Sequence, residues 1–567
     1  MNILGVAFLA DASAAVIRDG AVVAAVSEER LNRVKLWHGV PRASIQKALE
    51  LAGLNLDQID LIATHGAAPP EPDPQPFHAK ELQIKQSDLP ADRRKAQLAQ
   101  LHSRLEHERQ VLGKRTPAYL DEIRALGRPV KVFGHHEAHA ASAYYGSGWD
   151  DCFVLTIDGW GEDGSASFWH GDQGKLIPLA RSHTFDSLGY FYGSITKALG
   201  FVPHRHEGKI LGLAAYCQVP RSYPVLRSMI DYDPATKRFL GRMERGLYVP
   251  RFENPLLKEF VQGFPREDVA AGAQRSLEEV VSAFVTDLGG RMKLAVAGGV
   301  FANVKLNQRL CELSNVEEVF VFPNMGDGGL SLGAAWLAHV QETGGRPEPI
   351  RSLMLGPAPD QAQIETVLRR EGLRYCRMPD IEECVAGLLA DGQVVARVCG
   401  PMEFGPRALG NRSVLYQASD PTVNDWLNRR LQRSEFMPFA PATLAEQAET
   451  CYEGLASGRD PARYMAMTFS CTSRMKQEAP AAVHVDGTAR PQVVSREDYP
   501  QFHRLLTAYH RLTGRASIVN TSFNMHEEPI VCSAEDAVRA FRAGQLPYLA
   551  IEDMLVEADC DVMEKAR

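Results

Sequence analysis

Two histidines four residues apart lie in the segment GHHEAHAASAYYGSG. In a helix, His135 and His139 project from one face about one turn apart, and this geometry suits two ligands of one metal ion. His136 is a competing ligand, but the spacing favours the pair at 135 and 139. Such pairs also occur on helix surfaces and in cores, so the spacing alone leaves both interpretations open.

Two aspartates stand at the ends of predicted strands. Asp158 ends CFVLTID and opens the glycine-rich turn DGWGEDG, and Asp327 follows the strand VEEVFVF in NMGDGG. Two imidazoles and two carboxylates form a mixed nitrogen and oxygen set, which suits iron(II), manganese or zinc better than a soft-ligand metal. We therefore predict that His135, His139, Asp158 and Asp327 are metal ligands and catalytic residues.

The order of strand, glycine turn and helix start occurs twice between residues 295 and 335. The first turn is in AVAGGVFANVKLNQ and the second is in GDGGLSLGAA. Such turns expose backbone N–H groups to phosphates, although paired glycines also mark turns without a ligand. The predicted nucleotide-binding positions are Gly298, Gly299, Asn303, Gly326 and Gly328.

Arginines and small polar residues cluster after residue 400, in MEFGPRALGNRS, LNRRLQRSEFMPFAP, DGTARPQ and IVNTSFNMHEEPIV. Guanidinium groups bind phosphates and carboxylates through planar, two-pronged bonds. A salt-bridged surface is the alternative for any single arginine. The candidate cofactor-binding residues are Arg407, Arg412, Arg433, Arg490, Asn520 and Ser522, and Arg490 is also predicted to be catalytic.

A repeated β-meander supports these residues. Residues 2 to 8, 12 to 18 and 21 to 27 are predicted as three strands, and the pattern returns at 152 to 158, 164 to 170 and 175 to 181. Two such meanders, each followed by helical sequence, are what a duplicated actin-like fold with RNase H-like lobes would show, although short β-meanders also occur in other folds. The polar, helix-favouring stretch after the proline-rich residues 69 to 78 predicts a helical insertion at about 67 to 126, with a solvated connecting helix pair as the alternative.

A segment rich in glycine and proline, QETGGRPEPIRSLMLGPAPD, places a domain boundary near Ile350. We expect domains at 1–350 and 351–567, with α/β and α+β architecture. The net charge of −8 and the lack of a basic tract disfavour nucleic-acid partners. The chain shows neither a signal segment nor a long apolar run, so we expect a cytoplasmic protein. Ten cysteines without a CxxC pair indicate reduced thiols.

Together the segments resemble the NodU/CmcH O-carbamoyltransferase family, which includes nebramycin-synthase-like antibiotic carbamoyltransferases. The resemblance spans nearly the whole chain. Its motifs, in order, are ADASAAVIRDG, SEERLNRVK, HHEAH, TIDGWGEDGS, HRHEGKILGLAAY, GGVFAN, GDGG, MEFGPRALGNRS, EFMPFAP, DGTARPQVV and NTSFNMHEEPIV.

This resemblance implies an N-terminal actin-like domain, similar to the threonylcarbamoyl-transferring protein of tRNA modification, and a C-terminal YrdC-like domain. The four predicted ligands match iron ligands of the family. The residues that match positions around carbamoyl phosphate and ATP are Arg407, Arg490, Asn520 and Ser522. The implied reaction converts carbamoyl phosphate and Mg-ATP to carbamoyladenylate. It then carbamoylates a hydroxyl of a small-molecule natural product, sugar or macrocycle.

Two departures from the family pattern stand out. Many relatives have a histidine where this chain has Ala10, and many have a lysine where this chain has the run from Arg430 to Arg433. No general base is evident from the sequence; Asp11, Glu28 and His65 are the candidates, and a structural role is favoured for each. A sugar kinase of actin-like fold, a tRNA threonylcarbamoyl transferase and a nucleotide-sensing binding protein remain alternatives. The oligomeric state stays open, with a homodimer as one option.

Overall fold

A computed structural model describes residues 1–67, 73–432 and 436–558. The chain forms two compact units. The first contains residues 1–22, 38–40 and 55–350, and the second contains residues 23–37, 41–54 and the described residues from 351 onward. The sequence prediction placed residues 23–54 in the N-terminal domain, whereas the structure groups most of them with the second unit.

The strands up to residue 350 are β1 (Asn2–Ala7), β2 (Ser13–Arg18), β3 (Ala21–Ser27), β4 (Leu61–His65), β5 (Val130–Phe133), β6 (Asp151–Gly161), β7 (Gly164–Asp172), β8 (Lys175–His183), β9 (Ile230–Asp233), β10 (Arg238–Gly241), β11 (Met292–Ala297) and β12 (Val316–Val321). The helices of this region are α1 (Glu28–Asn32), α2 (Arg42–Leu51), α3 (Pro74–Lys85), α4 (Ala91–Gln110), α5 (Thr116–Arg124), α6 (His135–Ser147), α7 (Leu188–Ala198), α8 (Glu207–Ala214), α9 (Tyr223–Arg227), α10 (Pro255–Val261), α11 (Arg266–Asp287), α12 (Val304–Cys311) and α13 (Leu330–Thr343).

Two five-stranded sheets share one topology. The first has the order β3-β2-β1-β4-β5 and the second has β8-β7-β6-β11-β12. In each sheet an antiparallel meander contributes its first strand to a parallel set, because β1 pairs parallel with β4 and β6 pairs parallel with β11. The predicted duplicated, actin-like arrangement of RNase H-like lobes is confirmed.

Close helix packing brings the ends of these elements together. The Cβ of an alanine at Gly333 on α13 would lie 1.9 Å from the carbonyl oxygen of Ala138 on α6, so only glycine lets the two helices approach this closely. Gly5 on β1 shows the same relation to Ser331, with 2.0 Å to its carbonyl oxygen. Helix α13 begins shortly after Asp327, and α6 begins at His135.

The segment predicted as a helical insertion contains α3, α4 and α5. A π-helical turn at Val111–Arg115 joins α4 to α5. Part of the predicted proline-rich break, residues 68–72, lies outside the described residues. Helix α4 buries Arg104 and Glu108 side by side, with 3.0 Å between Arg104 Nε and Glu108 Oε1.

The second unit adds the strands β13 (Tyr375–Arg377), β14 (Val395–Val398), β15 (Arg412–Gln417), β16 (Ala440–Leu444), β17 (Phe469–Ser470), β18 (Thr488–Ala489), β19 (Gln492–Val494), β20 (Ser517–Ser522), β21 (Tyr548–Ile551) and β22 (Met554–Glu557). Its helices after residue 350 are α14 (Gln361–Arg370), α15 (Ile381–Ala390), α16 (Val423–Arg430), α17 (Ala448–Cys451), α18 (Arg459–Ala462), α19 (Ser473–Glu478), α20 (Pro500–Thr513) and α21 (Ala534–Ala543).

A mixed eight-stranded sheet organises this unit, in the order β13-β22-β21-β14-β15-β20-β16-β19. Strands β14 and β21 run parallel, as do β16 and β19, and the other neighbours are antiparallel. The unit thus has the mixed α/β character expected of the C-terminal domain. Among the described residues, no helix combines the length and apolarity needed to span a membrane.

Candidate functional site

The four predicted metal ligands converge in the first unit. His139 Nε2 lies 3.2 Å from Asp158 Oδ2 and 3.6 Å from Asp327 Oδ1, and His135 Nε2 lies 3.6 Å from each of the same oxygens. All four candidate ligand atoms lie within 4.8 Å of one another. Ligands about 2.1 Å from one tetrahedral ion are about 3.4 Å apart, so the observed spacing fits a single metal ion.

His136 lies outside this cluster. Its Nδ1 is 2.8 Å from the hydroxyl of Thr156 on β6, and burial holds the pKa of His136 well below its ordinary value. The ring therefore packs as a neutral, hydrogen-bonded core residue. Of the two pairings that the HHEAH sequence allows, the structure brings His135 and His139 to the carboxylates.

The electrostatics of the cluster favour a bound cation. Burial alone would lower the pKa of His139, but the Asp158 and Asp327 carboxylates raise it to about 9. Burial alone would raise the pKa of Asp158, yet His135 and His139 hold it well below its ordinary value. A buried site that binds a proton this firmly provides the negative potential that a metal ion requires.

The environment of His135 also fits a bound metal ion. His135 Nε2 is buried and has no hydrogen-bond partner among the described residues. A metal ion bound by the four residues would satisfy it. The backbone N–H of His135 donates to Glu162 Oε1 at 2.9 Å, which fixes the start of α6. Glu162 lies in the motif TIDGWGEDGS, where neither its spacing nor its residue type predicts this contact.

Ser187 holds the backbone at Asp158 through hydrogen bonds. Ser187 Oγ donates to the carbonyl oxygens of Asp158 at 3.1 Å and Gly159 at 2.7 Å. Gly161 leaves room for the His135 ring, because an added Cβ would lie 2.3 Å from its Cδ2 atom. Such supporting contacts orient the groups that hold a metal.

Both predicted glycine turns lie beside the cluster. Gly298 has φ +103° and donates its N–H to Met325 O at 2.7 Å, which ties the two turns together. A Cβ at Gly299 would lie 3.1 Å from Asp158 Oδ1, and one at Gly328 would lie 2.8 Å from Asp11 Oδ2. A Cβ at Gly326 would meet no atom within 4 Å. The turns thus keep backbone close to the carboxylates, with space at Gly326.

Three other predicted residues have structural contacts. Asn303 Oδ1 accepts the N–H of Leu306 at 3.0 Å and caps α12, while its amide pairs with Gln274. Glu28 accepts the N–H groups of Ala43 and Ser44 at the start of α2. His65 Nε2 lies 3.2 Å from the Phe8 nitrogen. These contacts explain why these three residues occur where they do.

Arg412 is fully buried in the second unit. Its guanidinium donates to the carbonyl oxygens of Cys399, Gly400 and Asn411 through Nη1 and to that of Pro357 through Nη2, at 2.8–3.1 Å. Burial lowers its pKa. The guanidinium predicted to bind a cofactor therefore donates to backbone carbonyl oxygens instead. Carbonyl groups of a loop need hydrogen-bond donors, and an arginine can supply several at once.

Asn520 ties β20 to the loop before β15. Its Nδ2 donates to Gln492 Oε1 at 2.7 Å and to Ala408 O at 3.3 Å, and Gln492 Nε2 donates to Leu409 O at 2.8 Å. Buried Glu403 closes the same loop by accepting backbone N–H groups, including those of Leu409 and Asn411 at 2.8 Å.

The remaining candidates lie on the segments that these contacts join. Arg407 is half-buried in the loop before β15, and Arg490 is half-buried between β18 and β19. Ser522 ends β20 opposite Ser413 on β15. Arg433 lies outside the described residues. Because Gln492 contacts Leu409, the chain segments that carry Arg490 and Arg407 are neighbours.

Comparisons with known proteins agree with this picture. The family model described as Carbamoyltransferase N-terminus matches residues 2–336, and that described as Carbamoyltransferase C-terminus matches residues 386–558. An uncharacterized protein of Synechocystis sp., sll1178, is 32% identical over 98% of this chain and 96% of its own length. The nodulation protein NolNO of Sinorhizobium fredii is 32% identical over 97% of this chain and 79% of its own length.

Among solved structures, full-length HypF in its phosphate- and nucleotide-bound form is similar over 61% of this chain and 47% of that chain, with 14% identity and a TM-score of 0.33. The two family models and the full-length relatives carry the assignment. The N-terminal match alone spans more than half of the sequence. The chain belongs to the carbamoyltransferase family and is a transferase of carbamoyl groups.

Proposed function

We propose that this enzyme is an ATP-dependent O-carbamoyltransferase that acts on a hydroxyl of a small-molecule natural product. The observation that carries the proposal is the convergence of two imidazoles and two carboxylates beside two glycine turns. In a carbamoyltransferase, this combination suits a site that holds a metal ion and a nucleotide together.

The first half-reaction is proposed for the second unit. Water hydrolyses carbamoyl phosphate to carbamate and inorganic phosphate. A carbamate oxygen then attacks the α-phosphorus of Mg-ATP, so that pyrophosphate leaves and carbamoyladenylate forms. Arg407 and Arg490 hold phosphate oxygens, because guanidinium groups bind them in two-pronged geometry. Ser522 and the segment fixed by Asn520 orient the polar ends of the substrates.

The second half-reaction is proposed for the first unit. An iron(II) ion, or alternatively manganese or zinc, would be held by His135, His139, Asp158 and Asp327 and would supply Lewis-acid polarisation of a bound carbonyl. The backbone N–H groups near Gly298 and Gly328 hold the nucleotide phosphate. The acceptor hydroxyl attacks the carbonyl carbon of the adenylate, AMP leaves, and the hydroxyl proton passes to solvent or a nearby base.

The acidic net charge and the absence of a basic tract favour a small acceptor over tRNA. Sugars, polyols and macrocyclic alcohols of antibiotic type are the classes to test, with neither nucleic acid nor membrane as a partner. The test is mass spectrometry of reactions with ATP, carbamoyl phosphate, iron(II) and a panel of such alcohols. A product heavier by one carbamoyl group, formed only with ATP, supports the proposal. Release of ADP without a carbamoylated product contradicts it.

A further inference from the structure

The motif SEERLNRVK at residues 27–35 has no role in the reaction described above. The structure places it in the second unit, although it lies far from the rest of that unit in sequence. Strand β3 leads into the short helix α1, and the Arg33 backbone ends this helix in the left-handed region at φ 63°. One arginine of the motif contacts the loop that carries Arg407, and another contacts the loop that follows Ser522.

Arg30 holds the first of these loops. Its side chain is buried, and Nη2 donates to the carbonyl oxygen of Gly405 at 2.8 Å. Gly405 lies two residues before Arg407 and has φ +132°. Glu29, also buried, pairs with the Arg30 guanidinium and balances its charge. A buried charge is retained only when it is balanced and hydrogen-bonded in this way.

Arg33 holds the second loop with a two-pronged contact. Its Nη1 donates to Ile530 O and its Nη2 to Pro529 O, both at 2.7 Å. Its Nε lies 3.2 Å from Asp536 Oδ1 near the start of α21. Pro529 and Ile530 end the segment that begins with β20 and Ser522. The planar fork of arginine suits two adjacent carbonyl oxygens, and an ammonium group does not reproduce it.

The two loops also meet each other. Met402 and Ala408 of the first loop and Ile530 of the second form one buried apolar cluster, against which Cys532 packs. The arginines therefore restrain both sides of a contact between the segment with Arg407 and the segment that follows Ser522. Neither loop is a regular strand or helix, so its conformation depends on such side-chain contacts.

We propose that Arg30 and Arg33 are positioning residues of the adenylate-forming site, supplied by the N-terminal part of the sequence. They fix the backbone of the two loops so that Arg407 and Ser522 present their polar groups in one geometry. The inference rests on the proposed function of the second unit. It predicts that substitutions near the N-terminus impair the half-reaction assigned to residues several hundred positions later.

The test uses the full chain loaded with iron(II). Pyrophosphate release is measured against ATP and carbamoyl phosphate concentration for wild type, Arg33→Lys, Arg33→Ala and Arg30→Lys. Arg511→Ala is the matched control, because Arg511 lies in the same unit and, among the described residues, its side chain makes an exposed ion pair with Glu383. Bound iron and the thermal midpoint are recorded for each protein.

For Arg33→Lys we expect kcat/KM for pyrophosphate release to fall by about tenfold or more, mainly through higher KM values for both substrates. Its bound iron should equal that of wild type and its thermal midpoint should lie close to it. Arg30→Lys should show the same kinetic defect, and Arg511→Ala should behave as wild type. Arg33→Ala should be at least as impaired as Arg33→Lys.

Three results overturn the inference, and they are distinguishable. If wild type releases pyrophosphate and both lysine variants do so with unchanged KM and kcat, the arginines have no positioning role. If the variants lose only folded protein, with normal kinetics per folded molecule, their role is structural. If wild type itself releases no pyrophosphate from ATP and carbamoyl phosphate, the proposed function fails and the inference fails with it.

Discussion

The candidate sites of the two units use charged side chains in different ways. In the first unit, two histidines and two aspartates point their polar atoms at one place, at distances that fit an ion. In the second unit, Arg412, Arg30 and Arg33 point at backbone carbonyl oxygens. Residue type therefore identifies a ligand only when several side chains converge, whereas an isolated arginine is equally suited to shaping a loop.

The largest expected effect concerns the convergent site. His139→Ala removes one of four proposed ligands and leaves His135 as the single imidazole facing the two carboxylates, so metal affinity and carbamoyl transfer should each fall by about a hundredfold or more. His136→Ala is the matched control, since its ring bonds only to Thr156 within this region. Metal analysis and product assays check both variants. Full metal content in His139→Ala would refute the site, and loss in His136→Ala alone would move it by one residue.

The next effect concerns Arg490, which lies between β18 and β19. Arg490→Ala should lower pyrophosphate release by about a hundredfold or more, because a phosphate loses a two-pronged, charge-assisted contact. The side chain is half-buried, so the fold and the bound metal should be unchanged. Pyrophosphate assays, circular dichroism and metal analysis test this. Wild-type pyrophosphate release would show that Arg490 belongs with the loop-shaping arginines.

Arg412→Met tests whether Arg412 shapes a loop, with the free energy of unfolding as the measured quantity. The substitution removes the guanidinium donor of four carbonyl oxygens, of which those of Asn411 and Pro357 keep a backbone N–H donor. The free energy of unfolding of the second unit should therefore fall by about 2 kcal/mol or more. Arg511→Met, at an exposed ion pair, should change it by less than about 1 kcal/mol. Denaturant titration of both variants measures the difference. An Arg412→Met protein as stable as wild type but unable to bind ATP would restore Arg412 as a ligand.

A smaller effect is expected from pH. Burial, together with Arg104, Arg181 and Lys80, lowers the pKa of His183 in the first unit to about 3. The folded state disfavours protonation of the His183 ring. The stability that follows from the neutral ring is therefore complete above the unfolded pKa of about 6.5, and it decreases as pH falls below that value. The free energy of unfolding should be lower by about 2 kcal/mol at about pH 5.

The control for this prediction is His183→Asn. The asparagine oxygen can accept the N–H of Phe185 as His183 Nδ1 does, but it has no proton to gain in this range. Unfolding curves from about pH 7 to pH 5 should therefore be flatter for the variant than for wild type. Identical pH dependence in the two proteins would assign the acid sensitivity to other groups.

The sequence predicted those features that follow from regular periodicity. The duplicated meander follows from strand alternation, and the choice of His135 and His139 follows from helix geometry. Neither rule applies to Arg412, whose partners are backbone carbonyl oxygens that the tertiary fold brings together. The sequence likewise did not predict that the SEERLNRVK motif belongs to the second unit, because chain order does not show which unit a connecting segment packs against.

We propose that carbamoyl activation and carbamoyl transfer occur at separate sites. The most direct measurement is the simultaneous yield of pyrophosphate and carbamoylated product from His139→Ala, with ATP, carbamoyl phosphate and an acceptor identified with wild type. The account predicts that pyrophosphate release dependent on carbamoyl phosphate continues while the carbamoylated product is lost, because Arg407 and Arg490 are untouched and the adenylate hydrolyses. Loss of both pyrophosphate and product in a folded His139→Ala protein would contradict it.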